Sequence, residues 1–427
     1  MRKMIFITSI VFFNLGVKAQ DTLTVMTYNL LNFNNYTSYC TQSNNNVNDK
    51  IGYLKTITAY VLPDIVGFNE IHASNATIQL ILDSVLNSNG VKTYSRIQYI
   101  NSSNSDIVSS IFYNNKKLKF YSTNYLQTDL RDVIILNLYY NGQELQTNHD
   151  TVFIRVMQAH LKAGSTSSDQ DQRAQETNVI MNYLNSLGNS KNTILMGDFN
   201  VQSSTETSFQ NLINYSNTNV RFYDPANKLG TWNNNSSFAL YHTQAAQLNS
   251  NGCTAGGGLD DRFDFILASF SIMNNLYKVK YVPNSYKVVG QDGQHFNQSV
   301  DNLSNYSVPS NVLSSLANMS DHLPVTLKLA VQQTPFIGFQ DASYHNFKIS
   351  PVSWIGNELI LQLQGEFSGK MQLDIFDSFG RKIHTSNLFV SNDRYLISVS
   401  CPNVSQGLYF ISCRLNNQIA SLKVIHQ

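Results

Sequence analysis

The chain has 427 residues, 42% of them hydrophobic and only 13% charged. It is globular in composition and too long for one ordinary core, so two domains are the expectation. With 29 Lys and Arg against 28 Asp and Glu the formal charge is +1, which rules out any argument from total charge for nucleic acid or membrane; an electrostatic footprint has to be a local patch.

Met1-Arg2-Lys3 is a basic start, Met4 to Val17 is mostly apolar, and Val17-Lys18-Ala19 has the character of a small-residue cleavage site. This pattern predicts an export signal over residues 1–19, with Gln20 or so as the first mature residue. The apolar run is too short to span a bilayer comfortably, and no other segment looks transmembrane. Residues 20–330 alternate short apolar strands with helical stretches. The predicted strands are Leu23–Tyr28, Ile65–Phe68, Val108–Tyr113, Leu118–Tyr121, Thr151–His160, Thr193–Met196, Phe263–Leu267 and Val325–Leu329. The predicted helices are Asn48–Leu62, Ala76–Asn87 and Gln170–Leu187. Such a mixture predicts an α/β sandwich, two sheets packed face to face with helices outside. Residues 331–347, opening Val331-Gln332-Gln333-Thr334-Pro335, are expected to be a linker. The texture of residues 348–427 is all-β, with short alternating strands at Leu359–Leu363, Met371–Phe376, Tyr395–Val399, Leu408–Ser412 and Ala420–Ile425, a pattern for a small β-sandwich. Of the four cysteines, Cys40 and Cys253 sit in Asn/Gly-rich loops and are placed to pair. Cys401 and Cys413 lie symmetrically about Gly407, as positions facing across a hairpin would. None has a neighbour at metal-finger spacing.

Polar residues recur where the apolar runs of the first domain end: Thr27-Tyr28-Asn29, Phe68-Asn69-Glu70, Ala159-His160-Leu161, Gly197-Asp198-Phe199-Asn200 and Ser320-Asp321-His322. Strand ends that converge in this way build one polar pocket, and Asp, Glu, Asn and His together suit a hard cation and a phosphate ester. Phosphodiester hydrolysis needs an aligned water, a charge sink for the phosphoryl oxygens and a proton for the leaving oxygen. Glu70 is the leading metal ligand, with Asn29 beside it and Asp321 as an additional carboxylate. Asp198 would orient or deprotonate the water, and Asn200 would bond a phosphate oxygen. His322 needs an orienting acceptor, for which Asp264 is the best candidate; His160 is a second imidazole able to act as general acid or phosphate ligand. Mg²⁺ is the first choice of metal, with Mn²⁺ and Ca²⁺ as alternatives.

The order Tyr28-Asn29, Asn69-Glu70, His160-Leu161, Gly197-Asp198-Phe199-Asn200, Arg262-Phe263-Asp264-Phe265-Ile266 and Ser320-Asp321-His322-Leu323-Pro324 resembles the endonuclease/exonuclease/phosphatase superfamily over about 300 residues. The resemblance implies a four-layer α/β sandwich and divalent-metal phosphoesterase activity. It carries the metal role onto Glu70 and Asn29, the water-orienting role onto Asp198 with Asn200, and a His–Asp pair onto His322 and Asp264. His160-Leu161 is similar to the deoxyribonuclease I, sphingomyelinase and 5-phosphatase branches rather than the abasic-site endonucleases. The chain departs from the pattern at Asn69, where the family usually has Gln. His160-Leu161-Lys162-Ala163-Gly164 with Arg173, and the loop Val289 to Asn297, resemble secreted bacterial nuclease-like members, which makes Arg173, Asp292 and His295 expected substrate contacts. The last 80 or so residues, with Gly380-Arg381, Gly407-Leu408-Tyr409 and Leu422-Lys423-Val424-Ile425, resemble the C-terminal sorting domain of type IX secretion substrates. That implies contact with the type IX secretion machinery and export from a Gram-negative bacterium.

Three functions compete. The leading one is a secreted, metal-dependent endonuclease, expected as a monomer, acting on extracellular nucleic acid. Such an enzyme needs Lys and Arg along a groove; Lys116, Lys117, Lys119 and Arg131 form one modest basic cluster and Lys278, Lys280 and Lys287 another. A sphingomyelinase-like phospholipid phosphodiesterase or phosphatase would want an exposed apolar hairpin, for which Phe120 to Tyr125 is the nearest segment. A non-catalytic surface-binding module would have lost Glu70, Asp198 or His322, and all three are present.

Overall fold

The computed structural model describes residues 21–427 other than 91, 143–144, 146–150, 333–347, 365–367, 392–395, 403, 416–417 and 427. The export signal expected over 1–19, and all of the expected linker except Val331 and Gln332, lie outside the described residues. The chain divides into two compact units, residues 1–335 and 336–427.

Thirteen strands among the described residues build the first unit: β1 (Asp21–Phe33), β2 (Ile65–His72), β3 (Tyr94–Arg96), β4 (Ile107–Asn114), β5 (Leu118–Leu126), β6 (Val133–Tyr140), β7 (Phe153–His160), β8 (Thr193–Asp198), β9 (Phe222–Tyr223), β10 (Asp264–Ser269), β11 (Val279–Tyr281), β12 (Lys287–Val288) and β13 (Val325–Val331). One sheet runs β11-β13-β1-β2-β4-β3, with β12 also on β13; the other runs β5-β6-β7-β8-β10-β9. Each has a parallel pair at its centre, β1 with β2 and β7 with β8. Val331 closes β13 and so belongs to the sheet rather than to a linker.

Side-chain alternation explains why two sheets pack and where their polar ends go. In the second sheet Ile154, Val156, Ile194, Met196, Ile266 and Ala268 join the core shared with the first sheet. The intervening Met157, Leu195, Phe265 and Leu267 face the other way, against Ile180, Met181 and Leu184 of the helix Ser167–Ser186. Each such buried side chain contributes about 1.5–3 kcal/mol. That helix starts at Thr166, whose hydroxyl and the Asp169 carboxylate cap each other's backbone. The helices Val47–Val61, Asn75–Ile81 and Ser310–Met319 cover the first sheet through Leu54, Ile57, Ile78, Ile81, Leu313 and Leu316. The result is helices, sheet, sheet, helices, as the sequence predicts. Among the described residues no helix is long and apolar enough to cross a membrane.

The second unit pairs a three-stranded sheet, β14 (Lys348–Ile355), β15 (Glu358–Gln364) and β18 (Leu396–Ser400), with a four-stranded one, β17 (Lys382–Val390), β16 (Gly369–Asp377), β19 (Gly407–Leu415) and β20 (Gln418–His426). Leu359, Leu361 and Leu363 meet Met371, Leu373, Ile375, Ile411 and Cys413 in a common core with the period of two the sequence shows. Cys40 and Cys253 form a disulfide. Cys401 and Cys413 do not face each other across a hairpin: both are buried free thiols. Cys401 follows β18, whereas Cys413 lies in β19 between Leu373 and Ala420 of the other sheet.

Candidate active site

The inward row of the second sheet continues past its apolar core as Gln158, His160, Asp198 and Asp264. Register makes these neighbours: His160 lies opposite Asp198 on the parallel β7–β8 pair, and Asp264 opposite Asp198 on β10–β8. Gly197 permits the close approach, because a Cβ there would stand 1.8 Å from the Ala159 carbonyl oxygen and its φ is 136°.

Glu70 reaches the same place by breaking alternation. Gly67 and Asn69 face the second sheet, since both meet Gln158, so strict alternation would turn position 70 outward. The pairing of β2 with β4 slips between Phe68 and Ile71, and Glu70 takes φ 57°. Leu31 and Asn32, at the end of β1, are also left-handed, with φ 44° and 49°. Each such residue costs about 1–3 kcal/mol and persists only where its surroundings hold it. Lys50 Nζ holds this stretch, donating to the carbonyls of Leu30 (2.7 Å) and Leu31 (2.6 Å) and to Asn45 Oδ1 (2.6 Å). Burial pushes the Lys50 amine down to about 7, against the opposing pull of Asp321 and Glu70. The Glu70 carboxylate then accepts from Asn29 Nδ2 (2.9 Å) and from the Asn32 N–H (3.0 Å).

Asn29 Nδ2 also donates to Asp198 Oδ2 (2.9 Å), while Asn29 Oδ1 accepts from the Leu31 N–H. Asn29 therefore bridges the two carboxylates as a donor. His160 Nε2 stands 3.6 Å from Asp198 Oδ2 and 3.8 Å from Glu70 Oε1. His322 Nε2 stands 3.8 Å from Asp198 Oδ2, and His322 Nδ1 pairs with Asp264 Oδ2 at 2.7 Å. Ser320 ties the first sheet to this pair: its hydroxyl donates to the Asn29 carbonyl (2.7 Å) and accepts the His322 N–H (3.1 Å).

These surroundings push the ionisable groups apart. Burial, with Asp264 and Glu70 adding to it and the His322 charge opposing, raises the Asp198 carboxyl to about 7. Burial also opposes a charge on His322, but Asp264 and Asp198 override it and hold the ring well above its usual range. His160 is driven well below that range by burial, then by the charges of Arg131 and His322. The charged form is thus favoured at His322 and the neutral form at His160, on either side of a carboxyl that burial raises.

Glu70, His160, Asp198, Asn200, Gln244, Phe263 and His322 line one cavity of about 260 Å³. Asn200, at φ 53°, donates its backbone N–H to Asp198 Oδ1 (3.0 Å) and Nδ2 to the Leu161 carbonyl (3.1 Å). Asp321 is not among the lining residues; its Oδ2 accepts from the Ala255 N–H (2.8 Å) and Gln244 Nε2 (3.3 Å). Arg173, expected at the substrate, is fully buried. Its guanidinium pairs with Glu206 (2.7 Å) and donates to the carbonyls of Lys162 and Gly164, so it shapes the loop beside the cavity from within. Asp292 and His295 are likewise not on the cavity: they bond each other at 2.8 Å, and His295 Nε2 meets Ser304. The expected basic cluster divides, since Lys117 serves Thr22 and Asp64 while Arg131 donates to the His160 carbonyl (3.1 Å). Asn69 bonds Ser109, the Ala159 carbonyl and Gln158, bracing β7 just before His160. Sequence reasoning missed Gln244, the role of Arg131 at His160 and the buried Lys50.

Ligand atoms of Glu70, His160 and Asp198 lie within 4.8 Å of one another, as do those of Asp198, Asp264 and His322. Two carboxylates brought together in a buried cavity, with an imidazole nitrogen beside them, fit a divalent cation that favours oxygen donors.

A carboxylate–imidazole cluster thus lies at one end of the two packed sheets. Residues 26–278 match the model of the Endonuclease/Exonuclease/phosphatase family, more than half of the chain, and the chain belongs to that family. Residues 357–427 match the secretion system C-terminal sorting domain, a mark of exported proteins. Solved structures similar to the chain include D. rerio TDP2 complexed with single strand DNA product (15% identity, 73% of this chain and 100% of that one, TM-score 0.46). The human Nocturnin catalytic domain with bound sulfate anion is 14% identical over 74% of this chain and 97% of that one, with a TM-score of 0.43. An endonuclease/exonuclease/phosphatase from Beutenbergia cavernae is 13% identical over 95% of this chain and 100% of that one, with a TM-score of 0.42. No curated protein matches the chain.

Proposed function

We propose that the chain is an exported, divalent-metal-dependent phosphodiesterase that hydrolyses extracellular nucleic acid by in-line attack of water. The observation that carries this is the geometry at Asp198, a buried carboxylate joined to Glu70 through Asn29 and flanked by His160 Nε2 at 3.6 Å and His322 Nε2 at 3.8 Å. A carboxylate held there is placed to accept a proton from the attacking water. His322, held by Asp264, presents Nε2 to the cavity, where a charged ring stabilises phosphoryl oxygens and supplies a proton to the leaving oxygen. His160 and Asn200 complete the wall facing the phosphoryl group. A divalent cation, held by Glu70 with Asp198 nearby, would supply further positive charge to those oxygens.

A phospholipid substrate is the second reading, favoured by the exposed Leu303 (95%) and Tyr306 (86%) in one loop. Parallel assays with Mg²⁺ on DNA, RNA and sphingomyelin vesicles separate the two. Turnover of DNA or RNA above that of vesicles is expected; turnover of vesicles alone would overturn the nucleic-acid assignment.

A further inference from the structure

The segment Thr243 to Ala246 lies outside every motif, yet it straps together the two halves of the His322–Asp264 pair. Thr243 Oγ1 accepts from the N–H groups of Phe263 (3.1 Å) and Asp264 (3.2 Å). The Thr243 carbonyl accepts the Leu323 N–H (2.7 Å), and the Ala246 N–H donates to the Asp321 carbonyl (2.8 Å). The Gln244 backbone bridges both Asp261 and His322. With its main chain fixed on both sides, Gln244 projects its amide into the cavity, where Nε2 stands 2.8 Å from His322 Nε2 and 3.3 Å from Asp321 Oδ2.

His322 Nδ1 faces Asp264, so Nε2 is the ring nitrogen available to a substrate, and the Gln244 amide stands directly on it. Asp198 Oδ2, at 3.8 Å, is too distant to be its hydrogen-bond partner. When His322 Nε2 carries the hydrogen it gives to the leaving oxygen, it and the Gln244 amide nitrogen are both donors, neither able to accept from the other, while the second amide hydrogen serves Asp321 Oδ2. A phosphoryl oxygen that reaches His322 Nε2 meets the same amide at the same place. We infer that Gln244 is a phosphate-contacting residue: its amide N–H, converging with the His322 Nε2–H on one place in the cavity, donates to a phosphoryl oxygen of the bound ester. This rests on the phosphoesterase reading and adds to it a residue that no motif marks.

The test uses the full mature chain, with Gln244→Met, which keeps the length and removes the amide, and Gln244→Glu, which replaces the donor by an acceptor. Steady-state kinetics on bis(p-nitrophenyl) phosphate are measured together with inhibition by inorganic phosphate and melting temperature. Gln244→Met is expected to melt within about 2 °C of wild type, because only the two amide contacts are lost, at a half-buried position whose main chain stays held. It should lower kcat/KM by about 10- to 100-fold and weaken phosphate inhibition about tenfold, the size of one hydrogen bond to a charged group. Gln244→Glu should weaken phosphate inhibition further. If Gln244→Met melts much lower, Gln244→Glu carries the comparison. Folded variants with wild-type kcat/KM and wild-type phosphate inhibition would overturn this assignment alone. A folded wild type that neither hydrolyses the diester nor responds to phosphate would overturn the phosphoesterase reading and this with it.

Discussion

Replacing Asp264 by Asn asks how the site controls His322. The two side chains meet at 2.7 Å and both are buried, Asp264 completely. Burial works against a charged ring; Asp264 first, then Asp198, more than reverses this. Asn is nearly the same size but neutral, so Nδ1–H exchanges a charge-assisted bond for an ordinary one, and the ring loses the anion beside it. Together these remove about 2–4 kcal/mol from any step that needs a positive ring, which is about 30- to 1,000-fold in kcat. Stability should hardly fall, because Asp264 Oδ1 is a buried oxygen without a partner among the described residues, and a neutral side chain relieves its desolvation. The pH dependence has a definite sign. A raised histidine is charged below its folded pKa and neutral above it, so Asp264→Asn should move the alkaline loss of activity to lower pH. The assay is kcat on a chromogenic phosphodiester from pH 5 to 9, with melting temperature in parallel. A folded Asp264→Asn protein with wild-type kcat and an unmoved alkaline limb would refute the reasoning.

Other expectations concern the frame around the site. Gly197→Ala should destabilise the protein by about 3 kcal/mol or more, since the new Cβ meets the Ala159 carbonyl oxygen at 1.8 Å on a left-handed residue; an unchanged melting temperature would contradict the close β7–β8 contact. The Cys40–Cys253 bond spans a sequence separation of 213 residues. Breaking it with reductant, or by Cys40→Ser with Cys253→Ser, should cost about 2–5 kcal/mol, read as a lower melting temperature; no change after thiol titration confirms reduction would count against it. Asp224 pairs with buried Arg262 at 2.9 Å, and although burial opposes the charge, the guanidinium holds the carboxyl below its ordinary range. A lowered carboxyl contributes stability in full above its unfolded pKa of about 4 and loses it as pH falls through the folded value, so wild type should lose stability below pH 4 more steeply than Asp224→Asn. Parallel acid-melting curves for the two proteins would show the pair to be inert.

The strand ends were legible because period-two alternation places Asp198 on the face of Ile194 and Met196, and Asp264 on that of Ile266. The layered fold was legible for the same reason. Glu70 illustrates the limit: its motif is visible, but alternation alone turns it outward, and only the left-handed backbone between Phe68 and Ile71 brings it in. Arg173 was expected at the substrate, and its burial was not legible because its partner Glu206 lies 33 residues away, on another segment. Gln244 carries no local signal, since its importance comes from Asp261 and His322, distant in sequence. The short edge strands β3, β9, β11 and β12 are too brief to show a period. The symmetry of Cys401 and Cys413 about Gly407 misled because Gly407 opens β19, while Cys401 follows a strand of the other sheet.

The most direct test of the central claim is nicking of supercoiled plasmid DNA by the purified mature chain with Mg²⁺ and Ca²⁺. Nicking that both EDTA and His322→Ala abolish is the predicted result. A folded wild-type protein that leaves both the plasmid and an RNA substrate intact, or nicking that persists in His322→Ala, would contradict it.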